Sequence, residues 1–338
     1  MTASLKPLSR AYQGRVWLLL FALLGVGVLF LVHIAFGAKT LSPGTILGAF
    51  VSFDGAEFDH VIIRDLRLPR ALVAMAVGAS LGVAGALMQG VTRNPLAEPG
   101  LLGLLAGASF AVVFWVSFLG QPIGFDLPLV AAAGALGASV VVWFIAKAAP
   151  GGTTPVTLTL SGAAITAFLA SLIALMHLLD EESFDELRVW LSGSLSGFDV
   201  TTLLICLPWL AIGLAIALAI GRQVTALSMG DDVALGLGVH TARLKILSLI
   251  SVVMLTACAV ALAGPMGFVG LVIPHAVRLV VGADYRRIVP FSAIGGAGFL
   301  LVIDLIARMA LRPVEISTGI VSALVGAPLF VWLVRRRT

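Results

Sequence analysis

From Val16 onward the apolar residues run in blocks of about 20, separated by short segments that hold most of the charge. That length matches the roughly 30 Å hydrocarbon core of a bilayer at about 1.5 Å per helical residue. Ten blocks stand out, at 16–36, 69–90, 99–119, 127–146, 156–179, 200–221, 243–263, 266–283, 288–307 and 315–334. Backbone in lipid must satisfy its own hydrogen bonds, so each block predicts a helix. The expected fold is all-α: a polytopic membrane protein with ten transmembrane helices, forming a single domain over 1–338. The first block is too long for the core of a cleavable signal, and Ala35 to Lys39 resembles a cleavage site only loosely, so it reads as the first span.

An even number of spans returns the chain to its starting side, and the basic residues choose the side. With the N-terminus in the cytoplasm, the inner segments hold Lys6, Arg10, Arg15, Arg93, Lys147, Arg222, Arg243, Lys245, Arg278, Arg286, Arg287 and Arg335 to Arg337, which is fourteen of the 21. The outer side holds Lys39, Arg64, Arg67, Arg70, Arg188, Arg308 and Arg312, and it carries the acids from Asp54 to Asp65 and from Asp180 to Glu186. Both termini are therefore expected to be cytoplasmic.

Composition supports a lipid-embedded chain. Hydrophobic residues make up 60% and charged residues 11%, with a mean hydropathy of +1.11, whereas soluble domains carry about 25% charged residues. The 37 glycines suit helices whose backbones approach closely. A net charge of +4 without a basic stripe gives no sign of a nucleic-acid partner. Cys206 and Cys258 lie inside apolar blocks without a CxxC spacing and read as small apolar filler. None of the lysines ends a GxxxxGK[ST] phosphate loop, so ATP-driven work would need an ATPase on another chain. The five histidines are scattered; His33 and His177 read as interfacial, and no catalytic role is expected of any.

Four features depart from a plain greasy bundle. Arg67, Arg70 and Arg308 fall at outer span ends, where they either snorkel or pair with Asp65 or Asp304, or else form a docking patch for an acidic partner. Asp304 lies inside a block, four residues before Arg308 and so on the same helix face, which fits a local ion pair better than a proton relay. Pro95 and Pro99 forbid a continuous helix through Arg93 to Pro99, giving either a tight loop or a rigid cytoplasmic constriction. Finally, the cytoplasmic segment 225–241 carries Asp231 and Asp232 where a helix would start and Gly236 and Gly238 where it would end. A helix presenting Val233, Ala234, Leu235 and Leu237 to the cytosol needs a cover, and the scarcity of basic residues in it favours a protein over anionic lipid.

The ordered set of segments resembles the FecCD family of ABC-importer permeases, which move iron–siderophores, haem and cobalamin. The match runs through Arg67-Leu68-Pro69-Arg70, Gly78-Ala79-Ser80-Leu81-Gly82 with Gln89, and Arg93 to Gly100. It continues through Leu262 to Leu271 with Pro274-His275 and Arg278, then Asp304, Arg308, Glu315 and Gly326-Ala327-Pro328. The resemblance implies a multi-pass subunit of the bacterial cytoplasmic membrane. It implies pairing with a second permease, identical or paralogous, two ATP-binding cassette subunits that bind ATP and Mg, and a periplasmic or lipid-anchored substrate-binding protein. No cofactor in this chain and no enzymatic activity of its own are implied.

By the same resemblance, Arg67, Arg70 and Arg308 would meet glutamates of the binding protein. Gly230, Asp231, Asp232, Val233, Ala234, Leu235, Gly236, Leu237 and Gly238 would belong to a helix pair seated in an ATPase cleft. Asn94, Pro95 and Leu96, with Thr153 and Thr154, would form cytoplasmic gates, and 156–179 would line the path with the last span. Leu104-Leu105-Ala106 and Ser317 depart from the family pattern and bear on path polarity. Val156 to Leu160 and the acids near Asp180 look most like the branch serving ferric catecholate siderophores of the enterobactin type. Haem or cobalamin would be carried by the same importer class. An ion-coupled secondary transporter would call for more acids inside the spans than Asp304 alone, and a non-transporting scaffold would lack a water-accessible path.

Overall fold

The computed structural model describes residues 8–37, 39–119, 126–150, 152–179, 188–196 and 200–335, with the backbone alone over 8–16. Asp180, Glu181, Glu182, Asp185, Glu186, Lys6, Arg336 and Arg337 lie outside the described residues, and the side chains of Arg10 and Arg15 lie outside them too. Within the described residues the regular structure is all helical, apart from one isolated bridge between Leu311 and Val314. In chain order the helices are α1 (Leu8–Ala35), α2 (Pro43–Val51), α3 (Phe58–Val61), α4 (Leu68–Thr92), α5 (Leu104–Leu119), α6 (Asp126–Ala148) and α7 (Pro155–Leu179). They continue with α8 (Val200–Ser228), α9 (Asp231–Gly236), α10 (Thr241–Ala263), α11 (Val269–Val281), α12 (Tyr285–Met309) and α13 (Thr318–Arg335). A π-helical turn, Ile62–Arg67, joins α3 to α4 without a break.

Each expected block overlaps a helix, but among the described residues eight helical segments are long and apolar enough to cross a bilayer. Helices α5 and α11 fall short, at 16 and 13 residues. The physical reasons are local. Pro95 and Pro99 hold the chain out of helix until Leu104. Gly264 and Phe268 both take positive φ, 69° and 68°, on either side of Pro265, which delays the start of α11. Between α8 and α10 the chain forms the single six-residue helix α9 where a helix pair was expected, because α8 runs on to Ser228 and Leu237–His240 is not helical.

Helix α4 is the axis of the packing. It is buried along most of its length, as is α10, whereas α1 and α7 present most residues outward. Small residues make this possible. A Cβ added at Gly78 would strike the Gly296 carbonyl of α12, and one at Gly85 would strike the Gly270 carbonyl of α11. The backbones therefore touch with no side chain between them, the close approach that glycine allows between membrane helices. Gly107 and Gly134 seat α5 on α6 in the same way. Since Gly85 lies seven residues before Thr92, α11 begins about two turns before the end of α4. There the Phe268 N–H donates to the buried Glu98 carboxylate at 3.2 Å, so the 93–103 loop caps α11.

Candidate functional site: two charged networks at opposite ends of α4

The first network gathers at the start of α4. Arg70, in its first turn, reaches α12, where Nε and Nη2 each donate to Asp304, to Oδ2 and Oδ1, at 2.9 Å. This is the two-point geometry that suits guanidinium to carboxylate. Asp304 is fully buried and accepts from other elements as well. His33 Nε2, at the end of α1, lies 2.9 Å from Oδ2, and Thr318 Oγ1, opening α13, donates to Oδ1 at 2.9 Å. Arg308 Nε, one turn further along α12, sits 3.2 Å from Oδ2. One carboxylate thus ties α1, α4, α12 and α13 together. Such a buried charge persists because its lone pairs are all taken up.

The arginines differ in what they have left to offer. Arg67 donates through Nη1 to the Ile34 and Ala35 carbonyls at 2.6 and 3.0 Å, and through Nη2 to the Lys39 carbonyl. Arg308 Nη2 donates to the His33 carbonyl at 3.1 Å. Arg70 Nη1 donates to Glu315 at 2.8 Å. Arg67, Arg70 and Arg308 are 6%, 9% and 6% exposed, so they sit beneath the end of the bundle rather than on it. Lys39, Arg64 and Arg312 are exposed cations near them in sequence, Lys39 being paired with Asp59. His33, read as interfacial, is fully buried because Asp304 draws it inward. The contribution of Glu315 could not be read from local spacing, since 245 positions separate it from Arg70.

The second network lies at the other end of α4, about 37 Å away at 1.5 Å per residue. Arg93 closes α4 in a left-handed conformation, φ 53°, which swings its side chain toward α9. Its Nη2 donates to Asp231 Oδ2 at 2.7 Å, and Lys245 Nζ of α10 donates to Oδ1 at 3.0 Å. The Lys245 hydrogen bond, with the fields of Lys245 and Arg93, holds the Asp231 carboxyl below the usual carboxylate range. Gly230, at φ 130°, provides the sharp entry into α9. Val233, Leu235 and Leu237 are exposed, as is Asp232, while Ala234 points inward and is buried. Gly236 and Gly238 face open space, and Gly238 takes φ 77°.

Next to Arg93, the Asn94 side chain folds back to accept the Leu96 N–H at 3.0 Å, and its amide reaches Thr159 of α7 at 3.4 Å. Pro95 and Leu96 are both exposed. Thr154 and Thr157 bond reciprocally at the start of α7, N–H to hydroxyl at 2.8 and 3.1 Å, and Thr153 precedes that cap. The Asn94 loop and the Thr153-Thr154 segment therefore converge on the first turns of α7. Among the described residues no cluster of His, Cys, Asp and Glu is arranged to hold a metal ion.

Comparison with known proteins gives these networks a setting. The chain is 42% identical over 302 residues to the ferric enterobactin transport system permease protein FepD of Escherichia coli, covering 89% of this chain and 90% of that one. It is 38% identical over 307 residues to the iron-uptake system permease protein FeuB of Bacillus subtilis, covering 91% and 92%. A solved inward-facing chain assigned to the metal-chelate type of ABC transporter superposes with a TM-score of 0.81 at 30% identity, covering 94% of this chain and 99% of that one. The profile of the FecCD transport family matches residues 23–336. With its helices packed as in that solved transporter, the chain belongs to the FecCD transport family.

Proposed function

We propose that the chain is the membrane-spanning permease subunit of a binding-protein-dependent ABC importer that carries iron–siderophore complexes across the bacterial cytoplasmic membrane. The observation that carries this reading is the match to FecCD-family permeases along nearly the whole chain, with FepD at 42% identity. The chain acts as one transmembrane domain of ten spans with both termini in the cytoplasm, α5 and α11 being the short members. A second permease completes the path. Two separate ATP-binding cassette subunits bind ATP and Mg and do the hydrolysis. A periplasmic or lipid-anchored binding protein delivers the cargo.

The two networks take opposite tasks in this scheme. Residues 230–238 receive the stroke of the ATPase, with Asp231 fastening α9 and the exposed Asp232, Val233, Leu235 and Leu237 meeting the partner. Asn94, Pro95 and Leu96, with Thr153 and Thr154, form the cytoplasmic gate; the contact between Asn94 and Thr159 supports treating them as one unit. At the far end Arg67, Arg70 and Arg308 supply the positive field of the docking face. Their burial leaves direct contact with partner acids mainly to Arg70 and to exposed neighbours. Asp304 and Arg308 form the ion pair that holds this end together.

The test is reconstitution. The permease, assembled with its ATPase and placed in proteoliposomes, should take up radiolabelled ferric siderophore only with ATP inside reach of the ATPase and binding protein on the other face. Uptake that survives without ATP and collapses on adding an uncoupler would instead mark an ion-coupled carrier.

A further inference from the structure

Glu315 differs from the other acid in the outer network. Asp304 is fully buried, whereas the Glu315 side chain is 40% exposed. It lies in the non-helical run between α12 and α13, so no helix fixes its position. It takes only one corner of Arg70, the Nη1 donor at 2.8 Å, while Nε and Nη2 remain on Asp304. Arg67 directs Nη1 and Nη2 to backbone carbonyls, and Arg308 is held by Asp304 and the His33 carbonyl. Within this cluster, Arg70 Nη1 is therefore the donor whose present partner is itself open to water.

We propose that Glu315 is a built-in stand-in for the acidic side chain of the docking partner. It occupies Arg70 Nη1 in the free permease and yields that donor when a carboxylate of the binding protein arrives. The inference rests on the docking reading given above. A carboxylate already fits the position, so a second carboxylate needs no new geometry and the Arg70 guanidinium need not turn away from Asp304. Leaving costs Glu315 little, because an exposed charge regains its hydration as it swings out. Docking then exchanges one charge-assisted hydrogen bond for another. The gain is the small difference between two similar contacts, which keeps the complex weak enough to part after each delivery. Three guanidiniums, Arg67, Arg70 and Arg308, lie with two carboxylates, Asp304 and Glu315, while Asp59 and Arg312, one charge of each sign, flank Arg67. Displacing Glu315 raises the local positive excess by one charge, and that field favours an incoming acid.

The experiment uses the complete transporter in phosphatidylcholine nanodiscs and its own binding protein, with affinity measured over a salt series. Glu315→Gln should tighten binding roughly fivefold, with a steeper salt dependence, because the competitor is gone and the cations remain. Glu315→Ser should do the same, and Glu315→Asp should restore most of the competition. Arg70→Gln, checked for an intact melting transition, should weaken binding and cancel the gain in the double variant. Unchanged or weaker binding in both Glu315→Gln and Glu315→Ser would overturn the stand-in role, as would a gain that persists without Arg70. If Arg70→Gln folds and binds as the parent does, the docking reading itself fails, which separates the two outcomes.

Discussion

Asp304 shows how much one side chain can organise. It receives Arg70 by two donors, with His33, Thr318 and Arg308 around the same carboxylate. Removing its charge would leave Arg308 buried without its close counter-ion and Arg70 with Glu315 alone, a loss of about 3–5 kcal/mol for a broken buried pair. Asp304→Asn is therefore expected to lower the thermal midpoint in detergent by several degrees, while Asp304→Glu lowers it less. An unchanged midpoint for Asp304→Asn would mean that the ties between helices lie elsewhere. The spacing of Asp304 and Arg308 made their pairing readable along one helix face. Their tie to Arg70, 234 positions away, was not readable, because chain separation carries no information about which helix ends meet. His33 went astray for the same reason: a polar residue at a block end reads as interfacial until a buried acid is found beside it.

At the scale of elements, the seams around α4 set tight limits. The Gly85 and Gly270 backbones are in contact, so Gly85→Val should prevent assembly, visible as loss of the folded peak in size-exclusion chromatography. Gly25→Ala, where nothing lies within 4 Å of an added Cβ, should behave as the parent does. The clamp on α9 makes a different prediction. Arg93, Asp231 and Lys245 are about half to a third exposed, so Asp231→Arg should move stability by no more than about 1 kcal/mol. Cargo carried per ATP hydrolysed should nonetheless fall, and Arg93→Asp in the same chain should recover part of it. Hydrolysis and uptake that stay in step in Asp231→Arg would remove α9 from the coupling route. Because the Asp231 carboxyl is held below its usual range, the clamp is formed above that range and lost only as pH falls through it. Coupling should be flat across roughly pH 5–8. The prolines of the 93–103 loop announced where α4 ends and α5 is delayed. The late start of α11 did not announce itself, because the positive φ of Phe268 is imposed by its surroundings and is not a preference of phenylalanine.

For the whole molecule, hydropathy located the apolar blocks, since the solvent itself selects for them. It could not rank them by burial, because a span facing lipid and one inside the bundle are equally apolar. The structure ranks them: α4 and α10 are central, while α7 shows Val156, Leu160, Phe168, Leu175 and Leu178 outward and buries little beyond Ser161 and Gly162. If α7 borders the path in the assembled transporter, single cysteines at its outward positions between Thr159 and Ser171 should include some that react with a water-soluble maleimide and are shielded when cargo is bound. Uniform inertness of those cysteines, matching a cysteine placed at the outward-facing Leu24 of α1, would leave α7 in contact with lipid.

Where backbone rests on backbone there is no layer of side chains to shear. The slab of α4, α11 and α12, and the slab of α5 and α6, can tilt as stiff boards but cannot slide within themselves. Any opening of this protein must then be geared through the few places where the boards meet. The chain leading into the second board is pinned in the same way, where Gly162 of α7 crosses Leu101 of the 93–103 loop, a contact no wider than a single peptide group.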